Sequence, residues 1–259
     1  MEAETLIVTV AAGIARMRLN RPHKKNAITQ EMWRRLAAEL GTLSADPDVR
    51  AVVLCGAGAD FSAGADIGEF ATLRDADNAR EYEAANSAAF AAVRTCRVPV
   101  IAAIRGICFG GGFGLAAAAD IRLAAHGAQF CVPAAKLGLA YPQDAMQDIV
   151  FSAGPQMARY LAFTGARIYA DEALAAGFLL EVVADGQLDA RAAQIASAIA
   201  ANAPLSVHAS KLAIRSVLSG EAADADAARE AGAATFRSAD YAEGRAAFAA
   251  RRAPEFSGR

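Results

Sequence analysis

With 259 residues, 55% of them hydrophobic and 21% charged, the chain has apolar material for one large core, or for a core with an appendage. Its net charge of −2 gives no electrostatic pull toward nucleic acid or an anionic membrane surface. Only four lysines occur (Lys24, Lys25, Lys136 and Lys211), and they do not share a helix face.

No apolar run reaches the ~18 uninterrupted residues that a bilayer-spanning helix needs. The start, Met1-Glu2-Ala3-Glu4, is acidic and lacks the basic region of a secretion signal, so the expected location is cytoplasmic. Cys55, Cys96, Cys108 and Cys131 lie in apolar contexts without C-x-x-C spacing, and His23, His126 and His208 are isolated. Buried free thiols and no metal site are expected.

In chain order, Leu6–Val10 and Ile14–Leu19 alternate around Ala11-Ala12-Gly13, the pattern of a β-hairpin. Pro22 ends the second strand. Thr29 is a candidate N-cap for a helix carrying Met32, Leu36, Leu40 and Leu43 at helical spacing. Asp46-Pro47-Asp48 turns the chain into Val49–Cys55, a run suited to a strand buried on both faces. Ala71–Val93 reads as helix. Pro99 then leads into a second buried strand, Val100–Ile104, and an alanine-rich helix is expected over about Gly112–Ala119. Ile121–Ala125 and Phe130–Val132 read as short strands, and Gly154–Thr164, Ala170–Ala176, Leu188–Asn202 and Leu205–Leu218 as helices. A final helical pair completes the chain, with Asp240 and Glu243 spaced as a capping box. The fold class is α/β, with an α/β core over 1–200 and a helical region over 201–259 joined without a linker. The face of Ala222–Phe236 is mostly alanine, which buries little area and therefore needs something to dock on.

Two glycine-rich stretches, Phe61-Ser62-Ala63-Gly64-Ala65-Asp66-Ile67 and Gly106-Ile107-Cys108-Phe109-Gly110-Gly111-Gly112-Phe113, each come after a strand-like run. Both bring bare backbone N–H groups to places where side chains would obstruct, and such a pair can hold one oxygen between two amides.

These stretches, together with Leu19-Asn20-Arg21-Pro22, Asn26-Ala27, Val52-Val53-Leu54-Cys55-Gly56, Asp120-Ile121-Arg122-Leu123-Ala124 and Leu137-Gly138-Leu139, occur in an ordered set. Phe163-Thr164-Gly165 with Ala170, Glu172-Ala173 and Ala176-Gly177-Phe178 extends the set, as does the segment from Phe236 to Phe256. In this the chain resembles the crotonase, or enoyl-CoA hydratase/isomerase, superfamily along nearly its whole length. The resemblance implies a spiral of ββα units with C-terminal helices that take part in assembly into a homotrimer or a dimer of trimers. It also implies an acyl-CoA substrate and no separate cofactor, coenzyme A being part of the thioester.

By position in the family motifs, the oxyanion donors are the amides of Ala65 and Gly111. Ala63, Ala65, Asp66, Ile67 and Gly68 then correspond to the stretch that holds pantetheine and adenine, with Lys24, Asn26 and Ala27 near the nucleotide. Family hydratases use two glutamates to add water to an enoyl thioester; here the matching positions hold Gly114 and Ala134. General acid–base catalysis is worth roughly 10²–10⁴-fold per group, so ordinary hydration is expected to be severely reduced. Tyr141, Asp144, Glu69 and Tyr82 are the candidates to act in their place. Tyr141 stands where methylmalonyl-CoA decarboxylases of the superfamily carry a tyrosine, and Asp144 lies two positions past the acidic position of its isomerases. The readings left open are an enzyme acting through an enolate, including a decarboxylase or isomerase using Tyr141 or Asp144, and a catalytically weak acyl-CoA-binding protein. RNA binding, which a few relatives perform through a lysine-rich helix, is the weakest reading.

Overall fold

The computed structural model describes residues 4–70 and 79–259. The first hairpin joins β1 (Leu6–Ala11) to β2 (Ile14–Leu19), pairing Leu6 with Leu19 and Ala11 with Ile14. Its two-residue turn, Ala12-Gly13, has positive φ at both positions (49° and 74°), the twist that suits adjacent antiparallel strands. Parallel strands then extend the sheet: β3 (Ala51–Gly56), β4 (Val100–Ile104), β6 (Ile121–Ala125) and β9 (Glu181–Val183), in the order β1-β2-β3-β4-β6-β9. A second sheet, β5-β7-β8, is built from Ile107–Phe109, Gln129–Cys131 and Arg167–Tyr169.

Alternation along β3 divides the core. Val52 and Leu54 pack on one face with Val100, Ala102 and Ile104 of β4. Ala51, Val53 and Cys55 pack on the other with Ile101, Ala103 and Leu123, beneath Leu188, Ala192 and Ala196 of α6 (Leu188–Ala200). Covering both faces explains why β3 and β4 read as continuous apolar runs.

The first face carries α1 (Gln30–Ala45) and α2 (Ala79–Thr95), which pack on each other. Thr29 caps α1, its side chain accepting from the Met32 N–H. The eight residues 71–78 of the helix expected over Ala71–Val93 lie outside the described residues. Next come α3 (Gly111–Ala118), α4 (Gln143–Thr164) and α5 (Ala170–Ala175). α4 is two helical segments meeting at a break: Gly154, at φ 76° and ψ 157°, is not helical, and the segment read as a helix from Gly154 begins there at Pro155, after a first segment from Gln143 that the sequence reading did not include. The short strands β5, β8 and β9, three residues each, have too little length for a periodic signature.

The C-terminal helices are α7 (Pro204–Ser219), α8 (Ala222–Thr235) and α9 (Ala239–Ala250). α8 packs on α7 and buries none of its residues. The expected Asp240/Glu243 capping box does not form. Ser238 caps α9 by accepting from the Tyr241 N–H. Asp240 is buried and instead accepts from the N–H groups of Ser257 and Gly258. Glu243 pairs with Arg252. All four cysteines are free and buried. Among the described residues no helix is long and apolar enough to cross a membrane, and no cluster of His, Cys, Asp and Glu is arranged to hold a metal.

Candidate active site

The two glycine-rich loops lie side by side because their backbones are laced together. Ser62 donates its N–H to the Ile107 carbonyl and accepts from the Phe109 N–H at 2.9 Å, joining the first loop to β5. Its hydroxyl donates to the Asn26 carbonyl and accepts from the Gly64 N–H. On the other side, Ile28 donates to Gly64 and accepts from Asp66, and Ala63 donates to Lys25. The Gly64-Ala65 peptide is thereby held between residues 25–28 and the second loop.

Gly64 is required by space and by conformation. Its φ is 92°, and a Cβ there would stand 2.7 Å from the Phe109 oxygen and 2.9 Å from the Gly111 nitrogen. Gly110, at φ 51° and ψ −126°, turns the chain into α3, whose first residue is Gly111. The Ala65 nitrogen in turn lies 3.6 Å from where a Cβ on Gly111 would be. Among the described residues neither the Ala65 N–H nor the Gly111 N–H has an acceptor, while their neighbours Ala63, Gly64, Asp66 and Gly110 all do. The Gly111 N–H also opens a helix, where the dipole favours negative charge.

Around these amides the expected nucleotide-side residues separate into exposed and structural ones. Lys24 is exposed, as are Ile67, at 66%, and Gly68. Asn26 is fully buried: its Nδ2 donates to the carbonyls of Ala57 and Asp60, and its Oδ1 accepts from the Arg21 N–H. The side chain is therefore used up in shaping the loop, and Ala27 beside it is buried too. Asp66 accepts from Arg21 Nη1 at 2.8 Å and from the Gly68 N–H at 3.0 Å. Burial acts to raise its carboxyl, but these hydrogen bonds and the charges of Arg21 and Lys24 outweigh it and hold the group below its ordinary value.

The two positions lacking glutamate differ in their surroundings. Ala134 is half-buried in a short 3-10 turn. Gly114 is enclosed: a Cβ on it would lie 2.8 Å from Cζ and 3.0 Å from Cε1 of Phe90. Phe90, 2% exposed, stands edge-on to Trp33 with ring centroids 5.5 Å apart. A phenyl ring from α2 thus occupies the volume that a side chain at 114 would need.

Of the substitute candidates, Tyr141 is half-buried with its hydroxyl inside the protein, just ahead of α4. Asp144, in the first turn of α4, accepts from the Ser87 hydroxyl at 3.3 Å and lies 3.9 Å from Arg94, which is itself bidentate to Asp148. Glu69 accepts from the Gln30 N–H, and Tyr82 is fully buried with its hydroxyl 3.5 Å from the Ile28 carbonyl.

Two residues absent from the sequence-based candidates line this region: Trp33, beside Gly111, and Phe90, beside Gly114. Both lie on buried helix faces, where periodicity marks only core. The one clue in the sequence is the lone tryptophan next to Met32 on the inward stripe of α1.

Residues 9–259 match the family model described as enoyl-CoA hydratase/isomerase. The chain is 35% identical over 215 residues to the short-chain-enoyl-CoA hydratase of Clostridium acetobutylicum, covering 83% of this chain and 82% of the relative. It is also 35% identical over 223 residues to the human mitochondrial Delta(3,5)-Delta(2,4)-dienoyl-CoA isomerase, covering 81% of this chain and 68% of that protein. Among solved structures, an enoyl-CoA hydratase/carnithine racemase from Magnetospirillum magneticum superposes with a TM-score of 0.92 at 38% identity, over 100% of this chain and 97% of that one. Sequence, fold and the paired glycine loops agree, and the chain belongs to the enoyl-CoA hydratase/isomerase family of the crotonase superfamily.

Proposed function

We propose that this enzyme binds an acyl-CoA thioester with its carbonyl oxygen between the amides of Ala65 and Gly111, and that these donors stabilise the enolate. The observation that carries the reading is the pair of adjacent N–H groups without an acceptor among the described residues, in loops whose neighbouring amides are satisfied. A preorganised donor of this kind is worth about 3–4 kcal/mol in the transition state. The pantetheine and adenine run along residues 63–68, where Ile67 and Gly68 are exposed, with Lys24 close to the phosphates.

With Gly114 and Ala134 in place of carboxylates, no side chain at those positions can deprotonate water or protonate Cα, so hydration is slow. A second reading, decarboxylation or double-bond isomerisation, has support in the Tyr141 hydroxyl held inside the protein. Decarboxylation needs no base, because loss of CO₂ leaves the enolate directly. Asp144 is engaged by Ser87 and Arg94, which favours a structural role for it.

The enzyme works as a homotrimer or dimer of trimers, with coenzyme A as part of the substrate and no separate cofactor. Support for assembly comes from apolar side chains left outward on α7–α9: Val217 is 84% exposed and Phe248 88%, with Ile214 and Phe236 also exposed. A groove of about 880 Å³ bordered by α4 and α7 adds further uncovered surface, including Ile214 and Leu218.

The test is a panel of acyl-, enoyl- and malonyl-type CoA esters, with products tracked by mass spectrometry and binding by calorimetry. Enolate-derived turnover or Cα hydrogen exchange is expected with at least one ester, and crotonyl-CoA hydration far below that of a two-glutamate relative. Failure of every thioester to bind would overturn the proposal.

A further inference from the structure

The direction of the Ala65 N–H is set by the peptide it belongs to. In a trans peptide that N–H points opposite to the Gly64 carbonyl, and the Gly64 carbonyl is held by the Ile28 N–H at 2.8 Å. The other end of Gly64 is its own N–H, which donates to the Ser62 hydroxyl at 3.0 Å. Gly64 sits at φ 92° and, lacking a Cβ, has wide backbone freedom. The two bonds remove that freedom, one at each end of the residue.

Ser62 is fully buried, and its hydroxyl is committed on both sides: it donates to the Asn26 carbonyl at 2.8 Å while accepting from Gly64. A hydroxyl has one proton to give, so donation to Asn26 fixes its rotation and leaves a lone pair for the Gly64 N–H. Asn26 is itself anchored, at a left-handed φ of 53°, by side-chain bonds to Ala57, Asp60 and the Arg21 N–H. The same serine meets the second loop. Its backbone pairs with Ile107 and Phe109, and a Cβ on Gly112 would stand 2.8 Å from the Ser62 Cβ. Gly112 follows Gly111, so the residue that pins the first amide also abuts the backbone beside the second.

Resting on the acyl-CoA reading, we propose that Ser62 is a positioning residue for the oxyanion pair: its buried hydroxyl holds the Gly64-Ala65 peptide at the angle where the Ala65 N–H shares one oxygen with the Gly111 N–H. Without that hydroxyl the Gly64 N–H and the Asn26 carbonyl lose their partner, and the glycine regains torsional freedom. The backbone bonds of Ser62 to Ile107 and Phe109 need no side chain, so the loss is confined to the direction of one amide.

The probe is butyryl-CoA labelled with carbon-13 at its thioester carbonyl, whose resonance moves downfield as hydrogen bonds polarise the carbonyl. Bound to the wild-type chain, it is expected downfield of the free ester. In Ser62→Ala it should return most of the way to the free position. Kd by calorimetry should stay within about tenfold of wild-type, since one net hydrogen bond is worth no more than about a decade in affinity. Ser62→Cys keeps a weak donor and acceptor and should place the resonance between the two. A serine that only supports the fold would lower Tm in Ser62→Ala and leave the bound resonance at its wild-type position; that result overturns the inference while the acyl-CoA reading stands. A wild-type resonance unmoved on binding would overturn the oxyanion pair and the inference together, and failure of the ester to bind would remove the acyl-CoA reading as well. One measurement needs no variant: in the free wild-type chain the Gly64 amide should be protected from hydrogen exchange, with Ala65 and Gly111 exchanging freely. A Gly64 amide as open as those two would refute the role given to Ser62.

Discussion

On the proposed reading, Gly114→Glu would supply one of the two acids a family hydratase uses, and the surrounding packing decides its effect. The new Cβ would approach Phe90 to 2.8 Å at Cζ, and even its second contact, 3.0 Å at Cε1, is tighter than ordinary packing. Phe90 has little room to yield, since it is 2% exposed and braced edge-on by a fully buried Trp33. Overpacking of this kind costs about 1–3 kcal/mol. At roughly 2–4 °C per kcal/mol for a chain of this size, Gly114→Glu should lower the melting temperature by roughly 2–12 °C. The carboxylate would also be aimed at aromatic carbon, where burial raises its pKa and leaves it protonated. The double variant Gly114→Glu with Ala134→Glu is therefore expected to gain no hydratase activity, assayed as loss of enoyl absorbance from crotonyl-CoA. Adding Phe90→Ala opens the volume and should raise the rate above that of the double variant, despite a further cost of about 3–5 kcal/mol in stability. A double variant that melts with wild-type and hydrates crotonyl-CoA rapidly would refute the claim that Phe90 blocks the position.

Gly64→Ala, forced against the Phe109 oxygen and the Gly111 nitrogen, should separate the two amides and lower kcat about 10²–10³-fold; unchanged steady-state turnover would count against Ala65 and Gly111 as the working pair. Asp66 titrates below its ordinary value when folded, so its stabilisation is complete above the unfolded carboxylate pKa of about 4 and is lost as pH falls through the lower folded value. Asp66→Asn should accordingly flatten the acid limb of melting temperature against pH, and an unaltered limb would show that the Arg21 pair contributes nothing. Asp240→Ala leaves the N–H groups of Ser257 and Gly258 without their acceptor, at about 1–3 kcal/mol. Hydrogen exchange over residues 252–259 should accelerate, whereas exchange matching wild-type would mean the segment is held by other contacts.

How much can be read from the sequence depends on the length over which a signal repeats. The hairpin, α1 with its Thr29 cap, and the doubly covered strands β3 and β4 each carry a pattern over five or more residues. Three-residue strands such as β5 and β8 have no period to detect; pairing with a neighbour creates them. The first half of α4 is hidden for a different reason. The Gly154-Pro155 break is a true boundary, with Gly154 outside helical φ/ψ, but the segment before it begins directly after Pro142 without a side-chain cap to announce it. Asp240 misleads in the opposite way. Its spacing from Glu243 has the form of a cap, but Ser238, one residue before the helix, makes the bond, and Asp240 turns to the C-terminal segment. Phe90 and Trp33 cannot be told from core filling, because burial looks alike in sequence whether or not a side chain abuts the glycine loops.

That contrast bears on how chemistry changes within this fold. The two unpaired amides are consequences of backbone lacing: Ser62 on β5, Ile28 on Gly64 and Asp66, and the turn at Gly110 into α3. They are backbone groups, so they change only when the backbone that carries them shifts, as a Cβ at Gly64 would force. The proton-transfer groups of a hydratase are the opposite case, one side chain each, and a glycine or an alanine deletes them without disturbing the backbone. Position 114 is glycine here, and the ring of Phe90, from α2, takes the volume beside it. A glutamate placed at 114 would meet that ring before it met a substrate. On the proposed reading, such a site would keep charge stabilisation without side chains at 114 and 134 to move protons to and from water. A site of that kind would favour reactions in which the enolate arises without a base, as in loss of CO₂ from the thioester.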